Sequence, residues 1–82
     1  MARTFHLTIA KIGENLFDGE ALSATLPGTE GVFTILAGHE AFVSTLKSGA
    51  ITVIDAAGQP QRIEVSESGV AEVSKNQATV LL

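Results

Sequence analysis

Cysteine is absent from these 82 residues, so neither a disulfide framework nor a thiolate zinc site can supplement the hydrophobic core. Tryptophan and tyrosine are absent as well. The four aromatic residues are Phe5, Phe17, Phe33 and Phe42, poor equipment for stacking on bases or sugars. Five basic residues stand against nine acidic ones, for a net charge of −4. No run of Lys or Arg exists to track a phosphate backbone, which argues against nucleic-acid binding. Apolar runs are short against the roughly 20 residues that cross a bilayer, and Met1-Ala2-Arg3-Thr4 passes at once into a strand pattern. The expectation is a chain with no signal peptide, transit peptide or inserted membrane segment.

What is present is alternation. Phe5, Leu7 and Ile9 alternate with His6 and Thr8; Leu22, Ala24 and Leu26 with Ser23 and Thr25; Ile63 and Val65 with Arg62 and Glu64. A period of two places alternate side chains on opposite faces of half-buried strands, so His6 should point away from the core. Turn signals recur at residues 11–14, Asp18-Gly19, Pro27-Gly28, Gly38, Ser48-Gly49, 55–60, Ser68-Gly69 and Lys75-Asn76. That spacing predicts an all-β fold, a small antiparallel β-sandwich of about nine to ten short strands, with residues 1–82 forming a single domain. The predicted strands are 5–10, 16–17, 21–26, 31–36, 42–46, 50–54, 61–65, 70–73 and 77–82, with Pro60 at a strand edge because it cannot donate to a ladder. A hydrophobic fraction of 45% in so short a chain, with two-sided strands at Phe42-Val43, Val53-Ile54 and Leu81-Leu82, points to an outer surface that packs on a partner.

The segment from Leu26 to Gly49 carries glycines at 28, 31, 38 and 49 and specifies turns more than chemistry. His39 beside Glu40 has the residue types of a proton-moving pair, but no nucleophile motif accompanies it. His6 and His39 belong to no spaced metal-ligand motif. Gly28-Thr29-Glu30-Gly31 lacks the lysine and following helix of a phosphate loop, and Glu30 would repel an anion. We therefore expect no catalytic residue, no cofactor and no metal. Loop tips on a rigid sandwich suit protein contacts more than chemistry.

The order of residues resembles the N-terminal β-sandwich domain of the F-type ATP synthase epsilon subunit. The resemblance covers nearly the whole chain. It rests on Phe5-His6-Leu7, Leu16-Phe17-Asp18-Gly19, residues 26–31 (Leu-Pro-Gly-Thr-Glu-Gly), residues 35–39 (Ile-Leu-Ala-Gly-His), residues 45–49 (Thr-Leu-Lys-Ser-Gly), residues 69–73 and residues 76–81. The chain departs from the family pattern at Ala37, Glu40-Ala41 and Ser48, where prolines are usual, and at Ser68, where a second glycine is usual. Each departure leaves a turn less rigid.

The resemblance implies a noncatalytic rotor subunit of the central stalk. It would couple rotation of the c-ring to ATP synthesis by contacts with the gamma subunit and with the polar loops of the c-ring. On this resemblance Thr29, Glu30, Gly31, Val32, His39 and Glu40 are the candidate interface residues: the first four would face the c-ring loops, the turn at His39 and Glu40 would lie near other rotor subunits, and the catalytic head would be engaged only indirectly. Localisation would be peripheral to the energy-transducing membrane, on the cytoplasmic face in bacteria. The helical hairpin that follows this domain in many members, and that can inhibit hydrolysis, is not expected in residues 1–82. The alternative is a free-standing β-sandwich protein-binding module, although the exposed aromatics of sugar binders are missing.

Overall fold

The computed structural model describes residues 3–82; Met1 and Ala2, read above as leading straight into a strand, lie outside the described residues. Six strands follow in order: β1 (Phe5–Lys11), β2 (Glu14–Gly28), β3 (Gly31–Leu36), β4 (Phe42–Asp55), β5 (Pro60–Ser74) and β6 (Gln77–Leu81). No helix occurs among the described residues. The all-β expectation holds, but the count of nine to ten strands does not.

The discrepancy has one cause. Asp18-Gly19, Ser48-Gly49 and Ser68-Gly69, expected to end strands, lie inside β2, β4 and β5. There the chain bends and continues, with register shifts between Ala21 and Ser23 of β2 and between Lys47 and Gly49 of β4. Gly49 has φ +154°, and a Cβ there would lie 3.0 Å from that of Pro27, so the bend needs a residue without a side chain. Three bent strands each supply a segment to both layers of the sandwich.

The registers define the layers. In the first, β3 pairs with residues 23–28 of β2, β2 with residues 52–55 of β4, and residues 49–54 of β4 with residues 60–65 of β5. In the second, residues 42–47 of β4 pair with residues 68–73 of β5, then β6, β1 and the first half of β2 follow. Pairing is antiparallel except between β1 and β6, whose parallel ladder closes the second layer. Pro60 opens β5 where that strand has only β4 beside it, the edge position its missing N–H requires.

Alternation then fills the space between the layers. Phe5, Leu7 and Ile9 of β1, Ala24 and Leu26 of β2, Ile35 of β3, Ile51 and Val53 of β4, Ala71 and Val73 of β5 and Val80 of β6 are buried in one cluster. Phe33 closes its side against Phe42, edge to face with ring centroids 5.3 Å apart.

The sandwich has two ends. One displays the turns at Ile12-Gly13 and Thr29-Glu30 and the bends of β4 and β5. The other displays Gly38 to Glu40, the loop of residues 56–59 and Lys75-Asn76. At this second end, Asn76 ties three segments together. Its Nδ2 donates to the Thr4 carbonyl at 2.6 Å, its Oδ1 accepts from the Gly38 N–H at 3.2 Å, and its carbonyl accepts from the His6 N–H at 3.0 Å.

Candidate functional site

Thr29 and Glu30 form the turn between β2 and β3. The Thr29 N–H donates to the Thr45 carbonyl at 3.0 Å, and the two threonine hydroxyls lie 2.7 Å apart, so the turn is pinned to β4 in the opposite layer. Glu30 is exposed. Gly31 has φ +132°, a conformation other residues disfavour. Val32 stands 70% exposed on the outer surface. These four residues form one surface at the first end of the sandwich.

His39 and Glu40 lie elsewhere. Leu36 closes β3 and its carbonyl accepts from the His39 N–H at 3.2 Å, so five residue steps of about 3.3 Å each put them roughly 17 Å from Gly31. The His39 Nδ1–H donates to the Glu40 main-chain carbonyl at 2.8 Å, leaving the Glu40 carboxylate out of that bond. The imidazole tilts against the Phe42 ring, centroids 4.8 Å apart. The six candidates therefore fall into two sets at opposite ends of β3.

Between those ends lies the outer face of the first layer. Its cross-strand rows are Leu36, Ser23, Ile54 and Pro60; Thr34, Thr25, Thr52 and Arg62; and Val32 with Pro27, followed by Ala50 with Glu64. Charge appears only on β5, where the Arg62 Nε donates to the Glu64 carboxylate at 3.1 Å. The second layer's outer face differs, carrying His6, Asp18, Glu20 and Glu72.

A polar cluster not anticipated from the residues alone sits on that second face. His6 points outward, as its parity predicted, with Nε2 2.8 Å from Asp18 and Nδ1 3.3 Å from Glu20. The hydrogen bond to Asp18, then that to Glu20, raises the imidazole above its ordinary value of 6.5. The carboxylates meet opposite ring nitrogens, so they do not converge on one point where a cation could sit with the imidazole. Thr4 and Thr8 donate to Glu20 and Asp18 at 2.7 and 3.4 Å. The sequence held no signal for it, because only the strand register sets Glu20 opposite His6.

Asp55 organises the β4–β5 loop. Its carboxylate accepts from the N–H groups of Ala57 and Gln59, each at 2.9 Å, and from Gln61 Nε2 at 3.1 Å. The Gln59 N–H, which outweighs an opposing effect of burial, holds it below the ordinary value of 3.8 with help from the Gln61 and Ala57 donors. No enclosed pocket and no metal-holding group of His, Asp and Glu occurs among the described residues. What the molecule offers is an open, largely uncharged sheet face with a pinned turn at one end, an arrangement suited to gripping another macromolecule.

That describes an open β-sandwich domain, and the comparisons with known proteins say to which family it belongs. Residues 4–82 match the delta/epsilon chain β-sandwich domain of ATP synthase, and the chain belongs to that family. It is 42% identical over 78 residues to the ATP synthase epsilon chain of Bradyrhizobium sp. strain BTAi1, covering 95% of this chain and 56% of that protein. It is 37% identical over 81 residues to the epsilon chain of Desulforapulum autotrophicum, covering 99% and 59%. The chain thus spans a little over half the length of these relatives. Its fold superposes on a chain of the Euglena gracilis mitochondrial ATP synthase, solved with F1 and the c-ring, with TM-score 0.87, 25% identity and coverage of 95% of this chain and 49% of that one. A second likeness, to the central stalk and c-ring of the Tetrahymena thermophila enzyme, has TM-score 0.77 at 12% identity and bears on the fold alone.

Proposed function

We propose that this chain is a noncatalytic rotor component of a proton-translocating ATP synthase, acting as one sandwich domain. The gamma subunit packs on the outer face of the first layer, and the Thr29–Val32 turn rests against the polar loops of the c-ring. The observation that carries this is the continuity of an uncharged sheet face with a turn anchored across both layers by the Thr29–Thr45 bonds. His39 and Glu40, at the far end of β3, meet a different part of the rotor.

The mechanism is mechanical. Torque from proton flow reaches the catalytic head only if the rotor parts turn together, and a closed two-layer sheet transmits force through packed side chains with little give. No bond chemistry is needed in this chain. The site of action is peripheral to the energy-transducing membrane, on the cytoplasmic face in bacteria.

The test is binding of the purified chain to the gamma subunit of the same organism, followed by calorimetry. Thr52→Glu buries a charge in the centre of the proposed contact and should weaken binding at least tenfold. Glu72→Gln, on the other layer's outer face, should leave it unchanged. Failure of the unaltered chain to bind gamma, or equal effects of the two substitutions, overturns the assignment.

A further inference from the structure

Residues 17–20 of β2 form the free edge of the second layer, paired with β1 alone. Irregular register bounds them on both sides, opposite Ile9 and Ala10 of β1 and again between Ala21 and Ser23. Their inward hold is slight. Gly19, opposite Leu7, has no side chain, and nothing lies within 4 Å of where its Cβ would be; Phe17 is only partly buried against the core. The outward side chains are Asp18 and Glu20, and both reach His6.

Main-chain parity brings these three side chains together. The His6 N–H donates to the Asn76 carbonyl and the Ala10 carbonyl accepts from the Leu82 N–H, so residues 6, 8 and 10 turn their main-chain groups toward β6. Phe5, Leu7 and Ile9 then turn theirs toward β2. His6–Glu20 and Thr8–Asp18 are therefore the closely spaced pairs that exchange no main-chain hydrogen bonds and set their side chains nearest. The Glu20 carbonyl agrees, since it accepts from the Ala56 N–H at 3.1 Å, on the side away from β1.

An ionised carboxylate only accepts hydrogen bonds, and a neutral imidazole has a single N–H. Asp18 at Nε2 and Glu20 at Nδ1 can both be served only by the imidazolium. The other surroundings offer no substitute. β6 sets Gln77 opposite His6, with Thr79 next along the same face; Lys75 stands in the turn before β6, and Glu72 lies beyond Thr79 on β5. The Arg3 guanidinium lies against Gly38, and the Asp55 carboxylate is committed to its own loop. Among the described residues no other cationic side chain pairs with Asp18 or Glu20. Loss of the proton thus turns a ring lone pair toward one carboxylate and leaves two like charges side by side on the edge strand.

We propose that His6, Asp18 and Glu20 form a pH-sensitive clasp, which fastens the free edge of the second layer to β1 while the imidazole is protonated and lets that edge open when the proton is lost. The opening is local, confined to residues 17–20 and the groups of β1 they pair with. The hydrogen bonds to Asp18 and then Glu20 raise the imidazole above its ordinary 6.5, so the clasp is closed below that pH and released as pH rises through the folded value. This goes beyond the rotor assignment and does not depend on it.

Nuclear magnetic resonance of the unaltered chain provides the test, with the His6 ring followed from about pH 5.5 to about pH 8.5 and amide hydrogen exchange measured on the same samples. His6 should titrate above 6.5. Across that titration the protection of the Leu7 and Gly19 amides, which bond to each other's carbonyls, should fall at least about threefold after correction for the intrinsic pH dependence of exchange. Dilute urea, which speeds only openings that expose much surface, should leave exchange at Gly19 unchanged. Asp18→Asn should lower the titration point of His6, and His6→Gln should abolish the pH-dependent change in protection. A titration at or below 6.5, one that Asp18→Asn does not move, protection independent of pH, a pH dependence that survives His6→Gln, or urea-sensitive exchange at Gly19 would each overturn the proposal. The titration and exchange of the unaltered chain need no substitution and decide the matter even if a variant fails to fold.

Discussion

Gly28 sits where β2 enters the turn, and replacing it with alanine tests why that position lacks a side chain. A Cβ there would lie 2.6 Å from the Gly31 carbonyl oxygen and 2.9 Å from two carbons of the Phe33 ring. Ordinary contact begins near 3.4 Å, so the carbonyl would have to retreat by about 0.8 Å. Neither neighbour is free to do so. Gly31 pairs directly with Gly28 within a turn bonded to Thr45, and Phe33 is wedged against Phe42.

Overpacking a site with no room to relax costs about 2–3 kcal/mol, a large part of the ~5 kcal/mol expected of so small a domain. At about 4–8 °C per kcal/mol, the melting temperature should fall by roughly 10–20 °C. Without tryptophan or tyrosine to report, unfolding is followed by far-UV circular dichroism, and a urea titration should show a lower midpoint with an unchanged slope. Gly19→Ala is the matched control, since nothing lies within 4 Å of a Cβ there and its φ is ordinary; it should change stability by no more than about 0.5 kcal/mol. A loss below about 0.5 kcal/mol for Gly28→Ala, or an equal loss for Gly19→Ala, would refute steric exclusion as the reason for this glycine.

Three further outcomes follow from the polar contacts. Asn76→Ala removes the side-chain bonds to Gly38 and Thr4 and should cost about 1–2 kcal/mol, with faster hydrogen exchange at the Gly38 amide. His6 titrates above 6.5 in the folded chain, so its contribution is complete below that pH and is lost as pH rises through the folded value; melting temperature should decline across that interval and His6→Gln should flatten the decline. Asp55 titrates below 3.8 when folded, so its contribution is present above 3.8 and lost as pH falls through the lower folded value; Asp55→Asn should make melting less sensitive to acid in that range.

Much of this fold was legible because alternation is a direct record of burial. The inward parity of Phe5, Leu7 and Ile9 follows from the period of two, and the bounds of β3 from the turn signals on either side of it. The strand count failed because glycine signals a break in two senses: it can end a strand at a turn, or let a strand fold over and continue into a second layer. Gly13 and Gly38 mark turns, while Gly19, Gly49 and Gly69 fall within strands. Their local sequences, Asp-Gly, Ser-Gly and Ser-Gly, are the same residue types that favour turns. Only the partner strands, which are distant in sequence, decide between the outcomes. The parallel closure of β1 on β6 was illegible for the same reason, since its residues are some seventy positions apart.

The candidate site shows the converse limit. Thr29 to Val32 and His39-Glu40 are close in sequence and lie inside one glycine-rich segment, and nothing in that segment alone shows how far apart the fold puts them. A six-residue strand separates them, and an extended strand is the quickest way for a chain to leave one end of a sandwich for the other. What unites distant residues on this molecule is the ladder: Leu36, Ser23, Ile54 and Pro60 form one row although they come from four strands. The uncharged face exists because β2, β3 and β4 each place uncharged residues outward at matching registers. Alternation gives each strand its parity, but register decides whether the outward residues of different strands meet. A contact surface on a sheet is therefore a property of pairing, and a segment signature such as residues 26–49 identifies the scaffold before it identifies the surface.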